Sequence, residues 1–252
     1  MSNQYLIIIP TYNEAPNIIP LVESIFVNAP EVNLLFVDDN SQDKTRAKIQ
    51  EMSRQYPQKI NLLERQEKLG LGSAYIAGFK WALDRKFQII FEMDADLSHN
   101  PSYLKEIFRL LKSHDLVIGS RYVPGGGTKN WSLIRRFISR AGSAYARMIL
   151  GVKVADFTGG FNAWHARVLK QICLDDIRSD GYVFQIELKY RAILAGFRFI
   201  ETPIIFTDRT QGQSKMSLSI VLEAVYKVFL LLGFQKKFKA LRVNPRVQDT
   251  SS

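Results

Sequence analysis

FQIIFEMDADLSHNP, Phe87 to Pro101, passes from an apolar run to two acids and then to a helix start within fifteen residues. FQIIFEM (Phe87 to Met93) reads as a strand buried on both faces, because its apolar residues are continuous rather than alternating. Asn100 followed by Pro101 reads as a helix start, since Asn caps and Pro suits the first turn. Between them stand Asp94 and Asp96. In a strand, residues i and i+2 point the same way, so these two carboxylates are expected side by side. Like charges at that distance repel unless a cation lies between them. Hard cations such as Mg²⁺ or Mn²⁺ take oxygen ligands, and Mg²⁺ commonly binds one or two carboxylates together with substrate phosphates. A helix cap is the other use for such acids, but Asn100 already fills that place. D-x-D by itself is a weak motif.

The same strand-then-helix grammar extends in both directions. YLIII (Tyr5 to Ile9), VNLLFV (Val32 to Val37), INLLE (Ile60 to Glu64) and DLVIGS (Asp115 to Ser120) read as further strands. Helical patterns lie between them around residues 17–27, 45–55, 73–85 and 101–112, with Ser41 available to cap the second. Alternation of this kind implies right-handed βαβ crossovers and a mostly parallel sheet. Ligands of such sheets bind outside the carboxyl ends of the strands. The segments that follow the strands should therefore share one site: PTYNE (Pro10 to Glu14), DDNSQD (Asp38 to Asp43), ERQEKLGLG (Glu64 to Gly72), DADLS (Asp94 to Ser98) and SRYVPGGG (Ser120 to Gly127). After Gly127 helices are expected near 131–150 and 183–195, with FRFIETPIIF (Phe197 to Phe206) returning to the sheet as a strand.

Several segments have both a functional and an ordinary reading. Asp38 and Asp39 can accept bonds from a ribose or base, or make an Asx turn; one may do each job. KLGLGS (Lys68 to Ser73) resembles a phosphate loop, but Tyr75 stands at the third glycine position and no G-K-[ST] is present. A tight turn and close helix packing account for its glycines, and neither NAD nor ATP chemistry is assigned. Arg121, Arg135 and Arg136 flank Gly125 to Gly127, and guanidinium forks suit phosphate oxygens. Arg135 or Arg136 is expected to be merely the solvated face of its helix. Arg209 and Lys215, in DRTQGQSK, could close over an anion or lie in a plain surface loop.

The 252 residues suffice for a large core, and a formal charge of +10 favours anionic partners. Cys173 is the only cysteine, which excludes an internal disulfide and fits a reducing, cytoplasmic setting. The histidines, His99, His114 and His165, have no zinc-ligand spacing, and no hydrolase or protease motif is present. No apolar run reaches the roughly 20 residues that span a bilayer. From Leu218 the chain reads as a separate amphipathic helix followed by Lys236, Lys237, Lys239, Arg242 and Arg246. That suits either a membrane interface or packing against the body or a partner. The expected division is residues 1–217 and residues 218–252.

PTYNE, VDDNSQD, LGLGSAYIAGF, MDADLSHNP, GSRYVPGG, DFTGGF, SDGYVFQIE and DRTQGQSK, in this order over roughly residues 4 to 220, resemble the inverting nucleotide-sugar glycosyltransferases of GT-A fold. The nearest likeness is to their polyprenol (dolichol) phosphate mannosyltransferase group. The resemblance implies an α/β GT-A domain that moves mannose from GDP-mannose to a polyprenyl phosphate with inversion. It implies that Pro10, Tyr12, Glu14, Val37 and Asp39 hold the nucleoside, and that Asp94, Ala95 and Asp96 meet the diphosphate end. Asp94, Asp96 and Ser98 would face Mg²⁺ or Mn²⁺. Some relatives carry Gln where this chain has Ser98, a poorer ligand that water would replace. Arg121, Arg135 and Ser139 would meet the acceptor phosphate, and Arg209 and Lys215 would neutralise phosphate charge. Asp94, Asp96 and Arg121 are the expected catalytic residues. The implied location is the cytosolic face of a membrane, through the tail or a membrane-anchoring partner subunit, with no nucleic acid bound. The alternatives are a related transferase using UDP-glucose, an aminosugar nucleotide or another acceptor, and, more distantly, a non-catalytic basic module for nucleic acid or membrane.

Overall fold

The computed structural model describes residues 4–177, 179–208 and 225–233. Strands β1 (Tyr5–Thr11), β2 (Asn33–Asp38), β3 (Ile60–Glu64), β4 (Ile89–Glu92) and β5 (Leu116–Ser120) occupy the expected apolar runs. Helices α1 (Ala15–Asn28), α2 (Thr45–Gln55), α3 (Leu71–Asp84) and α4 (Leu104–Leu111) connect them, the last preceded by a 3₁₀ turn at Pro101–Tyr103. Asn100 caps that turn as expected, its side chain accepting from the Ser102 N–H at 2.9 Å, with Pro101 next in line. The expected Ser41 cap is not made. Asp43 lies closer to the first turn of α2 and accepts from the Thr45 N–H, while the Ser41 hydroxyl donates to Asp38 at 2.6 Å.

Beyond β5 come the short β6 (Gly127–Lys129), the long α5 (Leu133–Leu150), β7 (Asn162–His165), α6 (Ala166–Gln171), α7 (Gly181–Leu194), β8 (Phe199–Pro203) and β9 (Ile205–Thr207). The main sheet has seven strands in the order β3-β2-β1-β4-β7-β5-β8. All its pairings are parallel except the two made by β7, which runs antiparallel to both β4 and β5. The segment expected as one returning strand, FRFIETPIIF, is two: β8 joins the main sheet and β9 pairs with β6. Ile204 turns the chain between them, its N–H donating to the Ser120 carbonyl at 3.0 Å.

Alternate residues of each central strand feed two cores. Ile7, Ile9, Leu34, Phe36, Phe91 and Val117 pack under α1, α2 and α4. Leu6, Ile8, Leu35, Val37, Ile90 and Ile118 pack on the other side with α3, α6 and α7. This three-layer α/β/α body is the GT-A-like architecture, with a mostly parallel sheet flanked by helices. Residues 225–230 are helical and rest on it, with Val228 and Leu231 buried and the Tyr145 hydroxyl donating to the Val225 carbonyl at 3.1 Å. The other residues of the expected tail, and Arg209 and Lys215, lie outside the described residues.

The topology puts the carboxyl ends of β1 to β5 and β8 on one rim. Because β7 is reversed, its entry rather than its exit meets that rim, so DFTGG (residues 156–160) joins the site. Asn100→Ala removes the cap just beyond the acidic turn. It is expected to lower unfolding free energy by about 1 kcal/mol, read as a reduced urea midpoint; an unchanged midpoint contradicts the assigned cap.

Candidate active site

Glu92, Asp94 and Asp96 follow one another at every second position on one side of β4 and its extension, while Met93 and Ala95 pack into the opposite core. β4 ends at Glu92, so Asp94 and Asp96 stand just beyond the strand rather than in it, both partly exposed at the rim. The Asp96 carboxylate accepts from the Ser98 N–H at 3.1 Å. Leu97 between them has φ of 63° and completes the turn. Asp94 is oriented from two sides. Tyr75, buried in α3, donates its hydroxyl to Asp94 Oδ1 at 3.4 Å. The Asp94 N–H donates to His99 Nδ1 at 3.0 Å, which leaves the His99 proton on Nε2, 3.8 Å from Asp94 Oδ2. Burial raises the Asp94 carboxyl above its ordinary value, His99 opposes this, and the neighbouring Asp96 reinforces it. A carboxylate held in this way gains from a nearby cation.

The acids at the end of β2 divide their work. Asp38 is wholly buried and makes the turn, accepting from Thr11, Ser41 and Arg46. Asp39 faces the glycine loop, accepting from the Leu69 and Gly70 N–H groups at 3.2 and 2.9 Å and pairing with Arg65 at 2.7 Å. Asp180, just before α7, accepts from the Gly72 N–H at 2.8 Å. Gly70 sits at φ 93°, and a Cβ there would stand 2.4 Å from Asp180 Oδ2, so the glycine is required by the turn and by packing. The ordinary reading of KLGLGS therefore holds, while Tyr75, at the failed third glycine position, supports Asp94. Tyr12 is partly exposed at the end of β1 with Lys68 Nζ 3.5 Å from its ring centroid. Glu14 precedes α1 and accepts from Asn17 Nδ2 at 2.7 Å. Pro10 is partly buried beside them, whereas the Val37 and Ala95 side chains lie in the cores.

At the end of β5 the Arg121 guanidinium is buried and clamped. Nε and Nη2 donate to the two Asp156 oxygens at 2.7 and 2.6 Å, and Nη2 also to Thr158 Oγ1 at 2.8 Å. Burial works against the Arg121 charge, but Asp156 outweighs it and holds the guanidinium above its ordinary value. Burial likewise pushes Asp156 up, and Arg121 more than reverses this. Glu201 of β8 fixes Asp156 from behind by accepting its N–H and that of Ala155 at 2.9 and 2.7 Å. Arg135 lies over the Trp131 ring at 4.0 Å, Arg121 stands 5.3 Å from the same ring, and Arg135 pairs with Asp208 at 2.7 Å. Arg135 is thus part of the arginine group rather than a solvated helix face, while Arg136 is exposed. Ser139 accepts from the Tyr122 hydroxyl at 2.6 Å. The structure brings Arg121, Arg135 and Ser139 to one end of α5. Gly159 donates its N–H to Asp156 and a Cβ on the next residue, Gly160, would stand 3.8 Å from Asp94 Oδ1, so the acidic and basic halves adjoin.

Sequence reasoning did not single out Asp156, Thr158, Trp131 or the polar group behind the rim. Glu92 is fully buried and accepts from Asn162, Trp164 and Gln185 at 2.7, 3.1 and 3.0 Å. Burial pushes its carboxyl up to about 7. Lys189 is equally buried, and burial lowers its ammonium to about 8. A signal existed: FQIIFEM carries a charge inside a strand read as buried on both faces. α7 likewise places Gln185, Glu187, Lys189 and Arg191 on no single polar face.

Asp156→Asn leaves Arg121 buried without its counter-charge. It is expected to cost about 3–5 kcal/mol in equilibrium denaturation, and a loss under about 1 kcal/mol contradicts the clamp.

Residues 6–173 match the model of the family described as Glycosyl transferase family 2. The chain is 45% identical over 224 residues to a polyprenol monophosphomannose synthase of Mycolicibacterium smegmatis, covering 88% of this chain and 84% of that protein. It is 44% identical over 237 residues to an undecaprenyl-phosphate mannosyltransferase of Micrococcus luteus, covering 94% and 97%. Among solved structures, glucosyl-3-phosphoglycerate synthase from Mycobacterium tuberculosis, in complex with Mn²⁺, UDP and phosphoglyceric acid, superposes with a TM-score of 0.64 at 17% identity, covering 92% of this chain and 78% of that one. At that identity the superposition speaks for the fold. The family match over most of the chain, with two relatives above 40% identity along nearly all of it, establishes that this protein belongs to glycosyl transferase family 2.

Proposed function

We propose that the protein transfers mannose from GDP-mannose to a polyprenyl phosphate, inverting the anomeric carbon. The observation that carries this reading is the juxtaposition at one rim of paired carboxylates, Asp94 and Asp96, with the Arg121, Trp131 and Arg135 group. The names of the two close relatives support the polyprenyl phosphate acceptor and the mannosyl group.

A divalent cation fits the residues present. Asp94 and Asp96 offer oxygen ligands, and the buried Ser98 hydroxyl has no hydrogen-bond partner among the described residues. Among the described residues no three His, Cys, Asp or Glu side chains gather around a point. This suits Mg²⁺ or Mn²⁺, which take remaining ligands from a diphosphate and water. When bound, the cation would offset the charge that builds on the leaving diphosphate. Tyr75 and His99 hold Asp94 in place for it. Pro10, Tyr12, Glu14 and Asp39 line the nucleoside end, and Asp39 would exchange part of its bonding to the glycine loop for the ribose. Arg209 and Lys215 follow Asp208, which is tied to Arg135, and are assigned to phosphate neutralisation.

On the acceptor side Arg121, Arg135 and Ser139 orient the lipid phosphate. A phosphate monoester has a second pKa near about 6, so its attacking oxygen is already ionised near neutral pH. No protein base is required. That oxygen forms the new bond to the anomeric carbon as the bond to the GDP oxygen breaks on the opposite face. The protein's task is to bring two anions together and align them.

The acceptor also explains the outer face of α5. Leu133, Ile134 and Phe137 are 79, 73 and 75% exposed, beside the exposed Arg136 and Arg140. Tyr226, Phe229 and Leu230 are exposed on the neighbouring helical segment. Among the described residues no helix is long and apolar enough to cross a membrane. An apolar face rimmed by arginines suits contact with an anionic lipid surface, while the opposite face of the same helix turns Arg135 and Ser139 toward the rim.

Transfer of labelled mannose from GDP-mannose to a short polyprenyl phosphate, with Mg²⁺, Mn²⁺ or EDTA, tests the reading, with UDP-glucose as the competing donor. Asp94→Asn is expected to reduce turnover at least 100-fold with an unchanged circular dichroism spectrum; undiminished turnover rejects the assigned role. Phe137→Glu is expected to weaken sedimentation with anionic vesicles several-fold while sparing transfer to a water-soluble short-chain acceptor; unaltered sedimentation removes α5 from the lipid contact.

A further inference from the structure

Lys189 lies behind both halves of the rim and has no part in the transfer as described. It sits in the middle of α7 with no solvent exposure. Its ammonium donates to the carbonyls of Phe157 and Gly159 at 3.0 and 2.6 Å, and among the described residues no carboxylate is bonded to it. Gly159 also donates its N–H to Asp156 Oδ1 at 3.0 Å, and its carbonyl accepts from Asn162 at 3.2 Å. The segment 156–160 is therefore folded over Asp156 and pinned from beneath by one buried cation. Its ends reach the two halves. Asp156 and Thr158 grip Arg121, while a Cβ on Gly160 would stand 3.8 Å from Asp94 Oδ1.

Taking an ammonium out of water is unfavourable unless charge or hydrogen bonds repay it. Packing alone does not call for Lys189, since an uncharged chain of similar length would fill the volume. The charged groups acting on it are Asp156, Glu92, Glu201 and Arg121. Arg121 is matched one for one by the Asp156 carboxylate in a bidentate pair, and a neutralised pair attracts an incoming anion weakly. Lys189 holds the carbonyls on either side of Thr158, whose hydroxyl also accepts from Arg121. The buried ammonium therefore acts by placement: it fixes the turn that presents Asp156 and Thr158 to Arg121.

We propose that Lys189 is a positioning residue for the acceptor phosphate: by pinning segment 156–160, it sets Arg121 to receive that phosphate beside Asp94. This rests on the transfer reading above. The conservative tests are Lys189→Met, which removes charge and hydrogen bonds at similar shape, and Lys189→Gln, which keeps an N–H donor. Each is measured for GDP binding with Mn²⁺ by calorimetry, for farnesyl phosphate binding, and for mannose transfer at varied acceptor. The expected result is GDP affinity within about threefold of the parent. Acceptor kcat/KM and farnesyl phosphate affinity should fall at least tenfold in Lys189→Met and less in Lys189→Gln. Acceptor values within threefold of the parent in folded Lys189→Met overturn the proposal. So does an equal loss of GDP and acceptor affinity, or failure of both variants to fold, each of which makes Lys189 a general support of the core. If the parent protein itself neither binds nor uses the lipid phosphate, the transfer reading fails and the proposal falls with it; a working parent with an unaltered variant removes only Lys189.

Discussion

The buried pair of Arg121 and Asp156 is the interaction on which the site depends. Asp156 takes both Nε and Nη2 of the guanidinium, together with the N–H groups of Arg121 and Gly159. Its own N–H is held by Glu201. One residue thereby joins the end of β5 and the approach to β7 through its carboxylate, and the middle of β8 through its N–H. Such pairs contribute little net stability compared with apolar residues of equal volume, yet removing one partner is strongly unfavourable. Their value here is positional: a cation is fixed at the rim where a flexible surface arginine would be averaged by solvent.

The reversed strand β7 makes that arrangement possible. In an all-parallel sheet the segment before a strand lies at the opposite end from the ligand rim. Reversal places residues 156–160 at the rim between β4 and β5, so the acids that follow β4 and the arginine that follows β5 share a border. A transferase that must bring together two negatively charged substrates needs positive charge on both sides of the reacting carbon. The carboxylate pair can recruit a cation on one side, and the chain supplies guanidinium groups on the other. The same layout gives α5 two faces, with Arg135 and Ser139 turned toward the rim and Leu133, Ile134 and Phe137 exposed on the face proposed to meet lipid.

Much of this was legible in the sequence. Strands whose residues are apolar throughout, such as NLLFV and LVIGS, declare burial on both faces, and the polar segments after them pointed to one rim. The short strands were not legible. NAWH has neither β-branched residues nor alternation, and β6 and β9 are three residues each; pairing partners far along the chain decide them. Ser41 and Asp43 are both competent caps, and only the path of the turn selects Asp43. The sequence placed Arg121 at the site but could not show that Asp156, thirty-five positions later, consumes two of its donors. Val37 and Ala95 sit among site residues in the chain yet point into the cores, because alternation along a strand sends neighbours to opposite faces.

In the proposed reaction Asp94 and Asp96 grip a cation that also binds the donor diphosphate, next to Arg121. Anomalous scattering from crystals grown with Mn²⁺ and GDP-mannose tests it directly. The expected result is a manganese peak within coordination distance of both the Asp94 and Asp96 carboxylates and of the diphosphate oxygens. A donor bound elsewhere, or at this rim with no manganese between it and the two acids, contradicts it.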